Sequence, residues 1–411
     1  MRSALIANEC QRAGWNILWF TSRYCHITKK HRILTEVAKQ AENELGIHRL
    51  PIGPSYSLVL LDGPGYQRNI SVKRIYHHRT IARRFRSYIP RLPEPDLIYA
   101  SYPSPELCAE ATRFAKLHNI PLVVDIRDAW PDIFRDYLPK IFQPVLFPVI
   151  KHYRRILKYI VTNASSIIAT NEATLQWALR YAGRKKMETD YPLYHGYQRT
   201  TLQGGAAPQR SSFTAEEPLR CIFVSTFGQS YEIPAVVQVA RHFAAHCENR
   251  IHFTIVGDGE TAEQHKNSAQ GLSNVSFTGW LEQQELHDTL MASDLGFVLI
   301  RGGTTTFTLP NKVGEYLAHS LAIVSNIPGE LEDLLNSYSA GFTISNPVNT
   351  SELIEILGRL LYSPKVVFEQ KERAKKLYLE HFSAEKNYRK LVIALERLIQ
   401  PAHDSLERIE H

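Results

Sequence analysis

The chain of 411 residues lacks several features that would place it in a particular class of protein. It has five cysteines, and none of them form a C-x-x-C pair. An odd, scattered set argues for a reducing compartment and against a zinc site. No apolar run reaches 18 residues, so the sequence predicts no membrane-spanning helix. The first residues are polar and do not form the pattern of a secretory signal.

Signatures of nucleic-acid and dinucleotide binding are also missing. The sequence contains no helix-turn-helix, zinc-finger or aromatic RNA-binding pattern. The turn at Gly257 and Gly259 is followed by Ala262, where a G-x-G-x-x-G fingerprint needs a third glycine. Histidines such as His26 and the pair His77-His78 lack the spacing of metal ligands. We therefore expect no nucleic-acid partner, no NAD and no metal.

Charge is shared unevenly between the two halves of the chain. Residues 1–200 hold 30 Lys and Arg against 16 Asp and Glu, whereas the remainder holds 18 against 25. A basic half beside an acidic half suggests that the first half meets something anionic. A membrane surface or a lipid diphosphate fits this better than nucleic acid, for which no recognition pattern is present.

Short apolar runs alternate with helical stretches along the chain. In the first half they begin near Asn16, Asp96, Pro121 and Ser166, and in the second half strands are predicted at 219–224, 251–256, 275–278, 295–300 and 322–325. Such runs are typical of buried parallel strands. The alternation predicts an α/β fold of two doubly wound Rossmann-like domains that face across a cleft, with ligands at the carboxyl ends of the strands.

A polar stretch separates the two predicted domains. Residues 198–218 are rich in Gly, Ser, Gln and Pro and have no apolar period, which is typical of a linker. We therefore predict an N-terminal domain over 1–197, a linker over 198–218, a C-terminal domain over 219–383, and a terminal helix and tail over 384–411.

The first domain opens on a helical pattern where a doubly wound unit should open on a strand. This pattern begins at Ser3–Ala7 and is closed by Gly14. The first strand of such a unit is usually central, and without it buried N–H and C=O groups lose their partners. We expect that the first strand of this domain is missing and that the true start lies upstream.

The most informative segment is Thr308–Ala318. A polar loop brings Asn311 and Lys312 to the start of a helix that carries Glu315. A helix start suits an anion such as a phosphate, because its N–H groups are free and its dipole end is positive. Lys312 adds a point charge, and Glu315 can accept two hydrogen bonds from a diol such as a ribose. The combination suggests a nucleotide site, but from spacing alone a helix with a solvated glutamate is the better interpretation.

Leu309–Ala318, with Gly329-Glu330 beyond it, resembles the donor-sugar segment of family 4 glycosyltransferases, in the subgroup that builds bacterial surface polysaccharides. Other segments resemble the same family in the expected order. They are Gly65–Ser71, Ala100–Ser104 and Asp125–Asp132 in the first half, and Phe223–Gly228, Ile255–Gly259 and Asn274–Trp280 in the second. The resemblance extends from about Ser3 to about Ile399.

The resemblance implies a GT-B enzyme that moves a hexose or N-acetylhexosamine, with retention, from a UDP- or GDP-sugar to a lipid-linked glycan. It implies an acceptor-binding first domain, a donor-binding second domain and no metal cofactor. On the matching positions it assigns Glu315 to the ribose and Lys312 to the diphosphate. The other candidate donor-site residues are Leu309, Asn311, Gly228, Gln229, Gly257, Asp258, Gly279 and Trp280.

Two donor-site positions depart from the family pattern. Phe307 stands where the first of two paired glutamates is expected, which affects contact with the sugar ring hydroxyls. The second departure is at Gln229, where the predicted helix starts. Many relatives carry an Arg and a Lys in this segment, and this sequence has neither. The phosphate charge is then left to Lys312, or to Arg301 with the glycines that follow it. Taken alone, Lys312 fits a solvated surface lysine about equally well.

In the first domain, Arg127 stands where relatives carry a histidine that contacts the donor sugar. Arginine can stabilise an anion but cannot act as a base. Asp128 is a candidate for orienting Arg127 or an acceptor hydroxyl, so these two are the candidate catalytic residues. A structural Asp–Arg pair is an equal alternative. Trp280 likewise fits a core aromatic residue, which is the slightly favoured interpretation.

Residues 139–160 mix apolar side chains with Lys151, Arg154, Arg155 and Lys158. A basic amphipathic helix of this kind can lie in a membrane interface, although a domain helix with a buried apolar side fits as well. Together with the basic balance of the first half, the segment predicts a cytoplasmic protein bound peripherally to the inner face of the cytoplasmic membrane.

Two functions stay open on the sequence. The favoured one is the glycosyltransferase, supported by Glu315, Lys312 and Asp128. The alternative is a non-catalytic GT-B homologue that acts as a binding or scaffold partner in polysaccharide assembly, supported by Phe307, Gln229 and the missing strand. A GT-B nucleotide-sugar epimerase ranks below both, because the acid and base groups that it needs are not located.

Overall fold

The computed structural model describes residues 2–26, 28–32, 46–68, 71–132, 143–199, 217–228, 230–246, 250–301, 309–345 and 348–399. The chain divides into two units. The first runs to Leu193 and takes in the last helix from Tyr388, and the second is Tyr194–Asn387. The first unit thus ends shortly before the predicted boundary at 197, and most of the predicted terminal helix belongs with it.

The first unit contains both helices and strands in the described residues. Its helices are α1 (Arg2–Arg12), α2 (Val72–Tyr88), α3 (Pro105–His118), α4 (Gln143–Thr162) and α5 (Glu172–Ala182), with a 3-10 turn at Ile89–Arg91. Its strands are β1 (Ile17–Ser22), β2 (Tyr24–Cys25), β3 (Lys30–His31), β4 (Ile47–Gly53), β5 (Tyr56–Leu61), β6 (Ile98–Tyr102), β7 (Leu122–Ile126), β8 (Ser166–Ala169) and β9 (Tyr191–Pro192).

These strands form three separate sheets. In one, β1 pairs in parallel with β5, which pairs antiparallel with β4. In the second, β6, β7, β8 and β9 follow one another in parallel. The third is the short antiparallel pair of β2 and β3. Among the described residues no strand joins the first two sheets. The opening helix predicted from the sequence is confirmed, and Gly14 follows it with a φ of +85°.

The second unit is built on one parallel sheet. Its strands are β10 (Leu219–Val224), β11 (Ile251–Val256), β12 (Val275–Gly279), β13 (Leu295–Val298), β14 (Ala322–Ser325) and β15 (Gly341–Thr343), in the spatial order β12-β11-β10-β13-β14-β15. Its helices are α6 (Ile233–His246), α7 (Ala262–Ser268), α8 (Gln283–Met291), α9 (Lys312–Ala318), α10 (Glu330–Tyr338), α11 (Thr350–Leu361) and α12 (Pro364–Leu377). A π turn at Tyr378–Phe382 leads to α13 (Ala384–Ile399), which continues into the first unit.

The central strands of this sheet explain the apolar runs in the sequence. Every residue of β13 and β14 is buried, because helices cover both faces of a parallel sheet. The carboxyl ends of the six parallel strands lie along one edge, and the loops that follow β10, β11 and β12 start there. The α/β fold predicted from the alternation is confirmed. None of the described helices has the length and apolar composition needed to cross a membrane.

Candidate functional site

A glycine turn follows β11 and packs against the loop after β10. Gly257 has a φ of +130° and Gly259 a φ of +156°. A Cβ on Gly257 would overlap the carbonyl oxygen of Ser225, and one on Gly259 would lie 2.5 Å from the carbonyl oxygen of Phe227. Only glycine allows both the backbone angles and this close approach. The turn therefore requires glycine for structural reasons, whatever it binds.

Backbone hydrogen bonds connect three of these strand ends. The N–H of Phe227 donates to the carbonyl of Asp258 over 2.9 Å, and the N–H of Gly257 donates to the carbonyl of Gly279 over 2.8 Å. Gly228 follows Phe227, and among the described residues no heavy atom beyond its chain neighbours lies within 4 Å of the position its Cβ would take. The structure thus brings together four predicted residues: Gly228, Gly257, Asp258 and Gly279.

Trp280 follows Gly279 and is 71% exposed. The slightly favoured interpretation of Trp280 as a core aromatic residue is therefore wrong. The sheet ends at Gly279, whose φ of +72° turns the chain outward, so the indole is displayed beside the glycine turn instead of packing beneath it. An exposed indole at this edge offers a flat apolar surface to a ligand.

Lys312 is the first residue of α9 and is directed back toward the sheet. Its Nζ donates to the backbone carbonyl of Val224, the last residue of β10. The ammonium lies 3.9 Å from the ring centroid of Tyr231 and 5.4 Å from that of Phe223. Burial lowers the pKa of Lys312 to about 7, against an opposing effect of Glu315. Lys312 is therefore not a solvated surface lysine.

Glu315 lies one turn further along α9 and is half-buried. Its Oε1 accepts a hydrogen bond of 3.2 Å from the hydroxyl of Tyr197. Burial raises the pKa of the carboxyl group, while the Tyr197 hydrogen bond and the charge of Lys312 lower it. The solvated glutamate that spacing alone favoured is thus excluded. Tyr197 was missed from the sequence, because no motif connects it to a residue so distant in the chain.

Tyr316 fixes α9 against β10. Its buried hydroxyl accepts the N–H of Val224 over 2.8 Å, so α9 engages both backbone groups of that residue. Leu309 packs against the apolar cluster that contains Tyr316. Asn311 is exposed at the start of α9 and makes no side-chain cap. Because α9 has only seven residues, its dipole is small, and positive charge at this edge depends mainly on Lys312.

Other predicted donor-site features lie outside the described residues. These are Gln229, Phe307 and the pair Gly302-Gly303. Arg301, the alternative cation, faces Glu232, with 3.4 Å between Nε and Oε1. Within the described ranges no group of three or more His, Cys, Asp or Glu residues is arranged to hold a metal ion.

Arg127 follows β7 in the first unit and is held by three partners. Its Nε donates to Oδ2 of Asp125 over 3.0 Å. Its Nη2 donates to the hydroxyls of Ser3 and Ser101, each over 2.8 Å. About a quarter of the side chain stays exposed, at 24%. Asp125, rather than the predicted Asp128, is therefore the carboxylate that orients this guanidinium.

Asp125 also binds Arg2, from the start of α1. Both side chains are buried, and Arg2 donates to the two carboxylate oxygens over 2.8 and 3.0 Å. Burial favours the neutral acid, but Arg2 and Arg127 outweigh it and lower the pKa of Asp125 to about 2. A signal for this residue was available, since a charged side chain at the end of an apolar strand needs a partner. Asp128 itself is exposed at the same strand end.

Helix α4 presents a basic, partly apolar surface. Lys151, Arg155 and Lys158 are exposed on it, and Phe147 is 53% exposed. Arg154 differs from the other three, because its Nε donates to Oδ1 of Asp132 over 2.7 Å. The predicted basic set therefore contains three outward residues and one that forms an internal ion pair.

Two family models match the chain. Residues 2–189 match "Glycosyl transferase 4-like domain" and residues 218–363 match "Glycosyl transferases group 1". No curated protein matches the chain.

Solved structures match over most of the chain at low sequence identity. Sucrose-phosphate synthase from Thermosynechococcus elongatus is 14% identical, with a TM-score of 0.69, and the match covers 96% of this chain and 91% of that one. Trehalose-6-phosphate synthase OtsA is 12% identical, with a TM-score of 0.63, and covers 97% and 94%. HepE from Anabaena, in complex with UDP and glucose, is 15% identical, with a TM-score of 0.57, and covers 83% and 86%.

These likenesses agree with the two Rossmann-like units. The two models cover most of the chain in the order expected for such an enzyme, and the protein belongs to the family 4 glycosyltransferases, with the GT-B fold.

Proposed function

We propose that this glycosyltransferase moves a hexosyl or N-acetylhexosaminyl group from a UDP- or GDP-sugar, with retention of configuration, to a lipid-linked glycan in surface polysaccharide synthesis. The observation that carries the proposal is the arrangement in the second unit. Glu315, held by Tyr197, and Lys312, held at the end of β10, lie on α9 at the carboxyl edge of the sheet. At the same edge, backbone hydrogen bonds join the segments that contain Gly228, Gly257 and Gly279.

Each group at this edge fits one part of a nucleotide sugar. The carboxylate of Glu315 suits the two hydroxyls of a ribose, because an ionised carboxylate only accepts hydrogen bonds. Lys312 supplies positive charge for the diphosphate, and the space that the described residues leave at Gly228 permits close approach of a phosphate to the backbone. Trp280 and the Gly279 backbone are the proposed contacts of the base. HepE, with the same fold, is described in complex with UDP-glucose.

The transfer itself needs little covalent chemistry from the protein. The acceptor hydroxyl oxygen bonds to the anomeric carbon on the face from which the diphosphate departs. The bond between that carbon and the β-phosphate oxygen breaks, and the proton passes from the acceptor hydroxyl to the departing diphosphate. Lys312 stabilises the negative charge that develops on the leaving group. No metal is required in this scheme, because Lys312 supplies the cation.

Arg127 and Asp128 are the proposed reaction-site residues of the first unit. The guanidinium of Arg127 is permanently charged and cannot take the acceptor proton, so its role is to stabilise anionic charge. Asp125, Ser3 and Ser101 hold it in one orientation. The exposed carboxylate of Asp128 is free to accept a hydrogen bond from an acceptor hydroxyl.

The acceptor class and the location follow from charge. The basic surface of α4 carries Lys151, Arg155 and Lys158 beside the exposed ring of Phe147, and this combination suits the interface of an anionic membrane. We therefore place the protein on the inner face of the cytoplasmic membrane, where a lipid-linked acceptor would be presented.

Donor binding and turnover test the function. UDP-sugars and GDP-sugars are screened by thermal shift, since a ligand at about 100 times its Kd stabilises the folded state by about 2.7 kcal/mol. The stabilising donor is then mixed with a polyprenyl-diphosphate glycan, and release of the nucleoside diphosphate and the anomeric configuration of the product are measured. Release with a retained configuration is expected. Binding without release across the acceptor panel would establish the non-catalytic alternative, and no stabilisation by any nucleotide would overturn the proposal.

A further inference from the structure

A second group of charged side chains lies at a strand edge of the first unit, in residues that the proposed donor chemistry does not use. β1 and β5 run in parallel and end at Ser22 and Leu61, so the loops that follow them leave the same edge. Ligands of α/β units bind at this edge. After β1 the chain forms β2, and Lys29 directly precedes β3, whereas the segment after β5 leads through Tyr66 to the start of α2.

The ring of Tyr66 is the centre of this group. Tyr66 is only 6% exposed and packs against Tyr24 and His77, with ring centroids 5.0 and 5.5 Å away. Nζ of Lys29 lies 4.9 Å from the Tyr66 centroid and Cζ of Arg74 lies 5.7 Å from it. Both distances fit cation–π contacts. An ammonium and a guanidinium therefore both lie against one buried ring.

Two histidines beside the ring are neutral for geometric reasons. Nδ1 of His77 accepts the N–H of Gly65 over 3.2 Å, so its proton sits on Nε2, which faces the hydroxyl of Ser22 at 3.1 Å. Nε2 of His78 accepts from Nε of Arg74 over 3.4 Å. Burial, with the neighbouring cations and histidines, lowers the pKa of His77 to about 4 and that of His78 to about 3.

The field at this edge is positive. The pKa of His26 is lowered, first by partial desolvation of its ring and then by the charges of Lys29, Arg74 and Arg32. Lys29 also has a φ of +56°, a backbone angle that a residue with a side chain adopts at a cost. Such angles concentrate at functional sites, where the surrounding structure holds them. Lys29 therefore lies against Tyr66 with a backbone angle that carries a cost.

We propose that Lys29, Arg74 and His78 form a subsite for a phosphate group of the acceptor, with His26 and Arg32 at its rim. This proposal rests on the proposed function. It adds that the protein recognises the acceptor by a phosphate group. A phosphate neutralises the clustered cations and takes hydrogen bonds from the guanidinium fork and the ammonium together. Lys29, Arg74 and His78 are half-buried, so they combine a fixed geometry with access from solvent.

Two sources supply this chemistry, a lipid diphosphate in a membrane and a phosphate carried by a soluble sugar.

Three single variants test the subsite: Lys29→Gln, Arg74→Gln and, as the matched control, Arg83→Gln. Arg83 is an exposed arginine further along the same helix, outside the cluster. Circular dichroism and thermal melting confirm that each variant is folded before binding is measured.

The first probe is inorganic pyrophosphate, titrated with UDP in excess to occupy the donor site. The second is a vesicle of neutral phosphatidylcholine that carries a small fraction of polyprenyl diphosphate. We expect both Lys29→Gln and Arg74→Gln to weaken binding by about tenfold or more, because each removes a charge-assisted hydrogen bond, whereas Arg83→Gln binds as the wild type does.

The two probes distinguish the sources. Tighter binding to the vesicle than to pyrophosphate, lost in both variants, assigns a lipid diphosphate. Equal or weaker binding to the vesicle, with pyrophosphate binding lost, assigns a soluble phosphate. Binding of both probes that is the same in Lys29→Gln, Arg74→Gln and Arg83→Gln overturns the subsite. In that case donor binding and sugar transfer, measured separately, still decide the proposed function.

Discussion

The hydroxyl of Tyr197 donates a 3.2 Å hydrogen bond to Oε1 of Glu315, across 118 positions of sequence. The bond uses one of the two carboxylate oxygens and restricts the rotation of the side chain. The hydrogen bond also lowers the pKa of Glu315, whereas burial raises it. Tyr197 is therefore a positioning residue for the proposed ribose contact.

Replacing Glu315 by alanine should weaken donor binding without unfolding the protein. Loss of a charged acceptor costs about 1.5–3 kcal/mol, which corresponds to roughly 10- to 150-fold in Kd. Tyr197→Phe should also weaken donor binding, but by less, because the carboxylate remains. Calorimetric titration with the donor measures both, and Glu263→Ala on the exposed side of α7 is the control. A Kd for Glu315→Ala equal to that of the control would remove Glu315 from the site.

Donor affinity should depend on pH through Lys312. Burial lowers its pKa to about 7, so the side chain loses its charge as the pH rises through 7. A diphosphate favours the charged form, and its affinity should therefore fall by up to tenfold per pH unit above 7. Lys312→Met should bind more weakly at pH 6 and lose this slope. Titrations between pH 6 and 9 give the profile, and an identical slope in Lys312→Met contradicts the assignment.

Lys312 should also make the free energy of unfolding depend on pH, in the direction opposite to donor affinity. The folded state depresses the pKa of Lys312 from 10.5 to about 7, so between these values the unfolded chain binds more protons. The free energy of unfolding should rise with pH across this window and fall as the pH drops through 7. Urea unfolding of the wild type and of Lys312→Met, compared at pH 7 and 9, isolates this contribution.

Gly228→Ala separates ligand contact from fold. A methyl group there meets no atom of the described part of the chain within 4 Å apart from its chain neighbours, so the melting temperature should stay close to that of the wild type. If a phosphate lies against this backbone, the methyl group should weaken donor binding severalfold. The contrasting change, Gly257→Ala, should lower the melting temperature, because its Cβ overlaps the carbonyl oxygen of Ser225. Wild-type donor affinity in Gly228→Ala would place the phosphate elsewhere.

Asp125→Asn should destabilise the first unit. The change leaves the buried guanidinium of Arg2 without its counter-charge, a loss of about 3–5 kcal/mol. The pKa of Asp125 is lowered to about 2, so its contribution is present above 3.8 and is lost as the pH falls through 2. Chemical denaturation measures the effect, with the exposed Asp96→Asn as control. Equal stabilities of the two variants would show that the pair with Arg2 contributes nothing.

Membrane binding should depend on the outward basic residues of α4. The triple variant Lys151→Gln, Arg155→Gln and Lys158→Gln should reduce sedimentation with anionic vesicles, at about 1 kcal/mol per residue, and added salt should have the same effect. The control removes as many exposed charges from α12, at Lys365, Arg373 and Lys376. Arg154 is left unchanged, because its ion pair with Asp132 belongs to the fold. Equal sedimentation of the two triple variants would favour a soluble acceptor.

The sequence by itself determined the α/β class and most of the strands. Buried parallel strands are continuous apolar runs, and β10, β11 and β14 lie at the predicted positions. β4 was not predicted, because Pro51 and Gly53 interrupt its pattern where the ladder shifts register. β5 was not predicted either, although its last four residues form a continuous apolar run. Local patterns report local structure, and a strand with a bulge has a weak pattern.

Only the tertiary structure decided which residues act on one another. It exposes Trp280, directs Lys312 to the carbonyl of Val224 and pairs Arg127 with Asp125 instead of Asp128. It also brings Tyr197 to Glu315. Spacing along the chain identifies side chains of suitable chemistry, but burial and partners depend on elements far apart in sequence. The loops at the strand ends are where such elements meet, and there local pattern carries the least information.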